Sequence, residues 1–362
     1  MTLKQACEEY SSDAVRFALA DAGDGLDDAN FAVDTANAAI IKLTNELWWM
    51  EEVKANESTF REGPPSSYAD RVFENEMNYA VKITDENYKD FMFRRALKTG
   101  FYDLQTARNE YKSRCGSSGM NRDLVWRFMV VQTQLIAPIC PHYAEHVWRD
   151  VLNKEGFVIK ARWPEAENPD LTLLKADRYL QDLIKNSRNK FLTRKASGGS
   201  KKKNKETMIQ QSEKTITSGL IIYVNEEYDG WRKECLNIIR DKFDSQTRTF
   251  VDDHEILQAL HKSEVGQGQI ENFKEECMKF LKAKKPDVMN FGVQALDVRL
   301  PFGEIEVLEE NVELIKRQIG DLEHVEIVSV TDPDAVIKAG CHAFLLKKDP
   351  PLPGSPTPIF LH

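Results

Sequence analysis

The segment Leu135-Ile-Ala-Pro-Ile-Cys-Pro-His-Tyr-Ala-Glu-His-Val-Trp148 decides the fold of the first half of the chain. Pro138 ends a helical apolar pattern, because a proline inside a helix lacks the N–H donor and clashes with the preceding turn. Pro141 suits the first turn of a new helix, where that N–H has no partner in any case. The segment therefore predicts a sharp corner between two helices, whose apolar faces need further helices to cover them.

The same segment contains an H-x-x-E-H pattern, formed by His142, Glu145 and His146. On a helix this spacing places both histidines on one face, and the glutamate could act as the base of a zinc hydrolase. A catalytic zinc also needs a third protein ligand, and no downstream acidic residue stands out as one. We therefore expect no metal in this chain, and we assign structural roles to Pro138, Pro141, His142, Glu145, Trp148, Trp163 and Pro164.

Length and composition predict about two domains of ordinary soluble composition. The chain has 362 residues, of which 41% are hydrophobic and 30% are charged, as in typical globular proteins. No apolar run approaches the roughly 20 residues that cross a bilayer, and the first residues lack the features of secretion and transit signals. The cysteines show no C-x-x-C spacing, which favours reduced thiols. We expect a cytoplasmic protein without a membrane role.

Charge is segregated along the chain, although the net charge is −9. Residues 1–34 carry eight acids and two bases, residues 94–114 carry six bases and two acids, and residues 185–205 carry nine bases and no acid. The helical pattern sets Arg108 off from the apolar stripe of the second window, so we expect it to project to solvent or to a polyanion. A solvated face is the alternative for both basic windows. The candidate phosphate-binding residues are Arg94, Arg95, Lys98, Arg108, Lys112, Arg114, Lys201, Lys202, Lys203 and Lys205.

Helical periodicity predicts five or six antiparallel helices in an N-terminal bundle, one of which opens at Thr84-Asp85. The Gly, Ser and Lys content of 196–206 predicts a flexible basic linker. A smaller mixed α/β domain follows. Its predicted strands are Leu220–Val224, Ala295–Leu300, Val325–Val330 and His342–Leu346, and its predicted extended tail is Pro350–Pro358. The chain is thus expected to be multidomain and mainly α, with connecting helices at 1–26, the bundle at 27–195, the linker at 196–206 and the α/β domain at 207–362.

Strings of residues spread over nearly the whole chain occur in the order found in one known family. They are Ser12-Asp-Ala-Val-Arg16, Asp28-Ala-Asn-Phe31 with Ala36-Asn37 and Trp48, Pro138-Ile-Cys-Pro-His-Tyr-Ala-Glu145 with Trp148, Ala161-Arg-Trp-Pro-Glu165, Phe291-Gly-Val-Gln-Ala-Leu-Asp297, Leu300-Pro-Phe-Gly-Glu304 and Val307-Leu-Glu-Glu-Asn311. These strings resemble the class I aminoacyl-tRNA synthetases. The C-terminal strings resemble, within that class, the leucyl-tRNA synthetases of the eukaryotic cytosolic type.

The resemblance implies that the bundle is similar to the anticodon-binding domain of the class and that the partner is tRNA(Leu). It also implies a parent enzyme that attaches leucine to tRNA with ATP and Mg²⁺. The nucleotide-binding fold, the catalytic loop and the editing domain of that family have no counterpart in this sequence. We therefore expect a catalytically inactive C-terminal portion without a cofactor of its own.

The expected partners include the missing catalytic domain of the same enzyme, and other synthetases in a complex are further candidates. On this resemblance the basic residues named above become candidate tRNA-binding residues. A helical scaffold that binds proteins stays open as an alternative function, since an acidic bundle suits it. The zinc hydrolase is the third alternative.

Overall fold

A computed structural model of the chain describes residues 1–25, 30–198, 219–228, 230–244, 249–250, 252–262, 273–340 and 343–361. The chain divides into two compact units, Met1–Leu174 and Lys175–His362. This division falls near the start of the helix Leu171–Gly198, whereas the linker is predicted at 196–206. Most of that linker lies outside the described residues, so the predicted domain borders stay predictions.

The first unit is helical, as predicted. A π-helical segment, Lys98–Tyr102, joins its fifth helix to its sixth, and another, Val147–Val151, follows its eighth. The helices are α1 (Leu3–Tyr10), α2 (Ser12–Ala22), α3 (Val33–Ala55), α4 (Tyr68–Lys89), α5 (Phe93–Leu97), α6 (Asp103–Cys115), α7 (Arg122–Ile136) and α8 (Pro141–His146).

The proline corner is confirmed. Helix α7 ends at Ile136, and α8 begins at Pro141, which occupies the first turn. The predicted apolar stripe beyond the corner is buried, and its members are Ala144, Val147, Trp148 and Val151. The corner therefore turns two apolar helical faces into one continuous core.

Polar side chains set the beginnings of two helices of this unit. Thr2 and Gln5 form the predicted capping box of α1, and Ser67 and Asp70 form a second one at the start of α4. Between the helices lies one aromatic-rich core, in which Phe73 stacks on Tyr111 with ring centroids 4.4 Å apart. Capping boxes satisfy N–H donors that the first turn leaves without partners. The capping box starts α4 at Tyr68, which places Phe73 of the same helix in the core.

The predicted helix start at Thr84-Asp85 is wrong, because α4 continues to Lys89. Thr84 is fully buried, and its hydroxyl lies 2.7 Å from the hydroxyl of Thr99. Gly100 packs against the same place, since a Cβ there would lie 3.1 Å from both the Leu135 Cβ and the Thr84 Cγ2. Thr84 therefore forms a buried polar contact inside the bundle, although threonine often caps helices.

The second unit contains a three-stranded sheet with helices around it. The remaining elements are α9 (Leu171–Gly198), β1 (Gly219–Val224), α10 (Gly230–Lys242), β2 (Phe243–Asp244), β3 (Thr249–Phe250), α11 (Asp253–Lys262), α12 (Phe273–Phe291), α13 (Glu304–Glu310), α14 (Val312–Ile319), β4 (His324–Ser329), α15 (Ala335–Ala339), α16 (Ala343–Lys348) and β5 (Thr357–Leu361). This mixed composition agrees with the predicted α/β character.

Strand β1 lies in the middle of the sheet, whose order is β4-β1-β5. It pairs parallel with β4, with Leu220 opposite Val325, and antiparallel with β5, with Ile221 opposite Ile359. A separate two-stranded ribbon pairs β2 with β3. The predicted strands around 220–224 and 325–330 are thus confirmed, and β5 was not predicted because its residues begin inside the proline-rich tail.

Two predicted strands are wrong. Ala295–Leu300 begins in a 3₁₀ turn, Gly292–Leu296, instead of a strand. His342–Leu346 overlaps α16, in which Leu345 and Leu346 pack against the sheet. Short apolar runs fit a strand and a buried helical turn equally well, so periodicity alone does not separate them. In the described ranges we find no helix with the length and apolar character that crossing a membrane requires.

Candidate functional site

Arg94 and Arg95 lie at the beginning of α5, and both are exposed. Their backbone N–H groups donate to the two carboxylate oxygens of Asp24, at 2.7 and 3.3 Å. Within the described part of the chain, neither guanidinium has an ion pair or a hydrogen bond of its own. The acidic N-terminal region therefore fixes the backbone of this turn and leaves the two arginine side chains available.

The other bases of the first window differ among themselves. Lys98 is exposed, but its Nζ contacts both carboxylate oxygens of Asp103 at 2.7 Å. Lys112 is exposed and lines a cleft of about 390 Å³ together with Trp49 and Phe60. Lys98 and Lys112 are both accessible to a polyanion, and Lys98 would have to exchange Asp103 for a phosphate.

Arg108 does not project to solvent, and that prediction is wrong. Its side chain is 10% exposed, its Nη1 lies 2.5 Å from the Glu46 Oε1, and its guanidinium covers the Trp49 ring at 4.0 Å. Glu46 also accepts from the Gln105 amide at 2.7 Å. Burial raises the pKa of Glu46, while Arg108 opposes that shift. The structural reason is that Glu46 lies in the buried stripe of α3 and holds Arg108 inside.

Arg114 is buried as well, and its Nη2 lies 3.2 Å from the Glu110 Oε2. Arg108 and Arg114 therefore support the bundle from within. The lysines Lys201, Lys202, Lys203 and Lys205 lie outside the described residues. Among the candidate residues, the described structure places Arg94, Arg95, Lys98 and Lys112 at the surface.

The proline corner is held by α2. The Arg16 guanidinium donates to the carbonyl oxygens of Pro138, at 2.6 Å, and Ile139, at 2.8 Å. Asp13 accepts from the backbone N–H of Tyr143 at 2.6 Å and lies 3.1 Å from the His142 Nδ1. Asp13 thus caps α8, while Ser11 caps α2. Asp13 and Arg16 are three positions apart on one helical face, so two of the strings quoted above form a single clamp.

The side chains of the H-x-x-E-H pattern have different partners. His142 contacts Asp13, His146 Nδ1 lies 2.7 Å from Asp150, and the Glu145 Oε2 accepts from the Val158 N–H at 2.9 Å. Each contact ties α8 to a neighbouring segment. Each of the three side chains thus has a protein partner.

The two tryptophans of the motif set hold the segment after the corner. The Trp148 indole donates to the Glu155 carbonyl, and the Trp163 indole donates to the Val81 carbonyl, each at 3.4 Å. Pro164, next to Trp163, is buried. The loop that follows the corner is therefore anchored at both ends.

A row of aromatic rings leads from Trp163 to the surface beside Arg94. Trp163 contacts Tyr88 at 5.9 Å between ring centroids, Tyr88 contacts Phe93 at 6.4 Å, and Phe93 contacts Phe91 at 6.4 Å. Burial raises the pKa of Tyr88, and its hydroxyl donates to the Leu135 carbonyl at 2.9 Å. The signal that the sequence analysis does not use is the string Phe91-Met-Phe-Arg-Arg95, in which two aromatic residues are followed directly by two arginines.

In the second unit the string Leu300–Glu304 borders a cleft of about 600 Å³. Glu304 is 1% exposed, and its Oε1 accepts from the Gly354 N–H at 3.1 Å. Burial raises the pKa of Glu304 to about 7, while the neighbouring Tyr179 hydroxyl and the Gly354 N–H oppose that shift. Burial at this position therefore favours the protonated form of the carboxyl group.

Comparison with known proteins shows which proteins this chain resembles. Residues 70–209 match the model of the anticodon-binding domain of tRNA ligases. The cytoplasmic leucine–tRNA ligase of Arabidopsis thaliana is 54% identical over 361 residues, which are 99% of this chain and 33% of that protein. Over nearly its whole length the chain is therefore similar to the C-terminal third of cytoplasmic leucine–tRNA ligase.

Two further cytoplasmic leucine–tRNA ligases are similar to this chain. The cytoplasmic enzyme of Pongo abelii is 34% identical over 361 residues, covering 99% of this chain and 29% of that enzyme. That of Saccharomyces cerevisiae is 32% identical over 335 residues, covering 92% of this chain and 29% of that enzyme. The chain spans about a third of the length of these relatives. Arg94, Arg95, Lys98 and Lys112 all lie inside the anticodon-binding match.

Proposed function

We propose that this chain is the tRNA-binding C-terminal part of a cytoplasmic leucine–tRNA ligase and that its ligand is tRNA(Leu). The observation that carries the proposal is the match of residues 70–209 to an anticodon-binding domain, within a chain that aligns to leucine–tRNA ligases over 99% of its length. The exposed bases of α5 and α6 support it, because RNA affinity depends strongly on phosphate contacts.

Arg94 and Arg95 are the strongest phosphate-binding candidates, since both are exposed and neither forms an ion pair within the described residues. Lys98 and Lys112 extend this basic surface. Lys201, Lys202, Lys203 and Lys205 add charge that would attract phosphates without reading bases, because base recognition needs donors in fixed positions. Arg108 and Arg114 contribute by holding the bundle together.

The proposed partners follow from the same match. The chain works with the remaining parts of the ligase, which attach leucine to tRNA with ATP and Mg²⁺, and other synthetases in a complex are further candidate partners. Adenylate formation needs backbone amides and basic groups around ATP phosphates. We propose that those groups belong to the parts of the ligase outside the matched third, since the described residues include no glycine-rich loop between a strand and a helix.

The test is the affinity of the purified chain for transcripts of tRNA(Leu) and of a non-leucine tRNA, measured by fluorescence anisotropy over a salt series. We expect binding that weakens with salt, with a slope of roughly 0.7 to 0.9 per neutralised phosphate. Changing the four lysines between 201 and 205 to alanine should flatten the slope and weaken both tRNAs alike.

Two results would contradict the proposal. Absence of tRNA binding at low salt would remove the RNA function and favour a protein-binding scaffold. Leucine-dependent exchange between ATP and pyrophosphate by the chain alone would contradict the assignment of adenylate formation to other parts of the ligase. The control for the second measurement is the same preparation without leucine.

A further inference from the structure

The turn between α4 and α5 exposes two phenylalanines side by side. Phe91 is 74% exposed, and Phe93 is 44% exposed. Phe91 also has a φ of +59°, in the left-handed region that bulky side chains rarely adopt. Such conformations persist only where the surroundings enforce them, and they cluster at functional sites. An exposed aromatic ring on an enforced backbone is therefore a candidate contact for a ligand.

The backbone of this turn is held from both sides. The Phe91 N–H donates to the Tyr88 carbonyl at 3.1 Å, and the Met92 N–H donates to the Asn87 carbonyl at 2.8 Å. On the other side, Asp24 accepts from the N–H groups of Arg94 and Arg95. The ring of Phe91 is thus presented to solvent by a preorganised backbone, which lowers the entropy lost when a ligand binds.

An aromatic side chain contacts Phe91, and two arginines follow Phe91 closely in the sequence. Phe93 contacts Phe91 and links it through Tyr88 to Trp163. Arg94 and Arg95 follow directly in the sequence, and Asp90 is the exposed acid of the turn. An aromatic face next to two arginines matches the requirements of a single-stranded nucleotide, which offers a base to stack and a phosphate to neutralise.

We propose that Phe91 stacks on an unpaired base of the bound tRNA, supported by Phe93, while Arg94 and Arg95 neutralise the flanking phosphates. The proposal rests on the tRNA-binding function proposed above and names the part of the RNA that this end of the bundle contacts. A nucleic acid suits the turn better than an apolar protein surface, because the two guanidinium groups without ion-pair partners among the described residues complement phosphate charge.

The first test compares Phe91→Ala, Phe91→Trp and the control Trp48→Ala for binding to a tRNA(Leu) transcript. Phe91→Ala should weaken binding roughly 5- to 150-fold, as loss of a base-stacking aromatic does, with an unchanged salt slope. Phe91→Trp keeps an aromatic face and should retain most of the affinity. Trp48 is 63% exposed on α3, so its removal matches the loss of exposed aromatic surface and should leave affinity unchanged.

The second test changes the two arginines together, as Arg94→Gln and Arg95→Gln. Because charge is lost and the aromatic face stays, the salt slope should fall by roughly 1.4 to 1.8 for two phosphates. Far-ultraviolet circular dichroism checks that each variant keeps its helices. The two tests thus separate stacking from charge neutralisation at adjacent residues.

The possible outcomes distinguish this inference from the proposed function. If the unchanged chain binds no tRNA, both are overturned. If the unchanged chain binds tRNA and Phe91→Ala binds equally well, stacking alone is overturned and the tRNA-binding function stands. If Phe91→Ala keeps its RNA affinity but loses association with a protein, the turn is a protein-binding surface and the inference is overturned.

Discussion

The two units contain buried carboxyl groups of opposite character. Asp70 in the first unit is fully buried and has a pKa lowered to about 2. Burial by itself raises that pKa, but the Tyr111 hydroxyl, the Ser66 and Ser67 N–H groups and the Arg61 guanidinium more than compensate. Glu304 in the second unit is buried to nearly the same extent, yet its pKa is raised to about 7.

The difference lies in the number of donors that each carboxyl group receives. Asp70 receives two contacts from Arg61, at 2.6 and 2.7 Å, and one from Tyr111, at 2.5 Å, besides the two N–H groups. The Glu304 Oε2, by contrast, has no hydrogen-bond partner among the described residues. Burial disfavours a charge, and hydrogen-bond donors and opposite charges nearby reverse that effect. The comparison teaches that carboxyl groups of similar exposure can have pKa values shifted in opposite directions.

The largest expected effect comes from Asp70→Ala, which removes the carboxyl group that has the larger number of donors. The free energy of unfolding of the first unit should fall by about 3 to 5 kcal/mol, since removing the buried acceptor leaves the Tyr111 hydroxyl, the two N–H groups and the partly exposed Arg61 guanidinium without their partner. Urea denaturation followed by tryptophan fluorescence measures it, because five of the six tryptophans belong to this unit.

Asp85→Ala is the matched control for Asp70. Asp85 pairs with Lys89 on the exposed side of the same helix, and exposed pairs contribute about 0 to 1 kcal/mol. A similar loss in both variants would show that the donors around Asp70 add little, and the comparison between the two carboxyls would then lose its basis.

The second prediction concerns how the stability that depends on Glu304 varies with pH. Because the folded pKa of Glu304 is about 7 and its ordinary value is 4.5, its protonated form favours folding. That stability is full below pH 4.5 and is lost as the pH rises through 7, by about 3 kcal/mol at 1.36 kcal/mol per pKa unit. Hydrogen exchange of the β1 amides over pH 5 to 8, corrected for intrinsic exchange rates, measures the loss.

Glu304→Gln sharpens this second prediction, since an amide of the same shape has no charge to bury. The variant should lose the pH dependence and be more stable than the unchanged chain at pH 8. Glu309→Gln, at an exposed position of the same helix, should behave like the unchanged chain. A Glu304→Gln chain that still loses stability between pH 5 and 8 would assign the effect to another group.

The smallest expected effect comes from a third buried carboxylate, Asp13, which receives backbone N–H donors without a guanidinium. Asp13→Ala should lower the free energy of unfolding by about 1 to 2 kcal/mol, as loss of a helix cap does. Asp13→Asn keeps an acceptor oxygen and should recover part of the loss. Asp123→Ala, an exposed first-turn acid of α7, is the control. Equal stability of all four chains would exclude a capping role for Asp13.

Sequence patterns predicted those parts of the fold where local chemistry and packing agree. Pro138 and Pro141 each have one conformational preference, and the Thr2 and Gln5 capping box is complete within four residues, so both were read correctly. The prediction of a helix start at Thr84 is wrong because the burial of Thr84 against Thr99 depends on another segment of the bundle. The predicted strands at 295–300 and 342–346 are wrong because packing against distant elements decides the conformation of such short apolar runs.

The candidate site was predictable to a similar extent. Charge counting located Arg94 and Arg95, which the structure places at the surface. It also included Arg108, whose burial depends on Glu46, a residue more than sixty positions earlier in the sequence. The contribution of Asp24 to the turn was not predictable for the same reason, since its contact with Arg94 joins residues seventy positions apart.

The clamp of Arg16 on the proline corner has a consequence for the order of folding. It joins residues 122 and 123 positions apart, so forming it closes a long loop, and contacts of that kind form slowly. The local turns of α7 and α8 can form before it, and we expect the clamp to form after the rate-limiting step of folding. We therefore expect Arg16→Ala to accelerate unfolding while leaving the folding rate nearly unchanged. During folding we expect the prolines to form the corner early and Arg16 of α2 to stabilise it late.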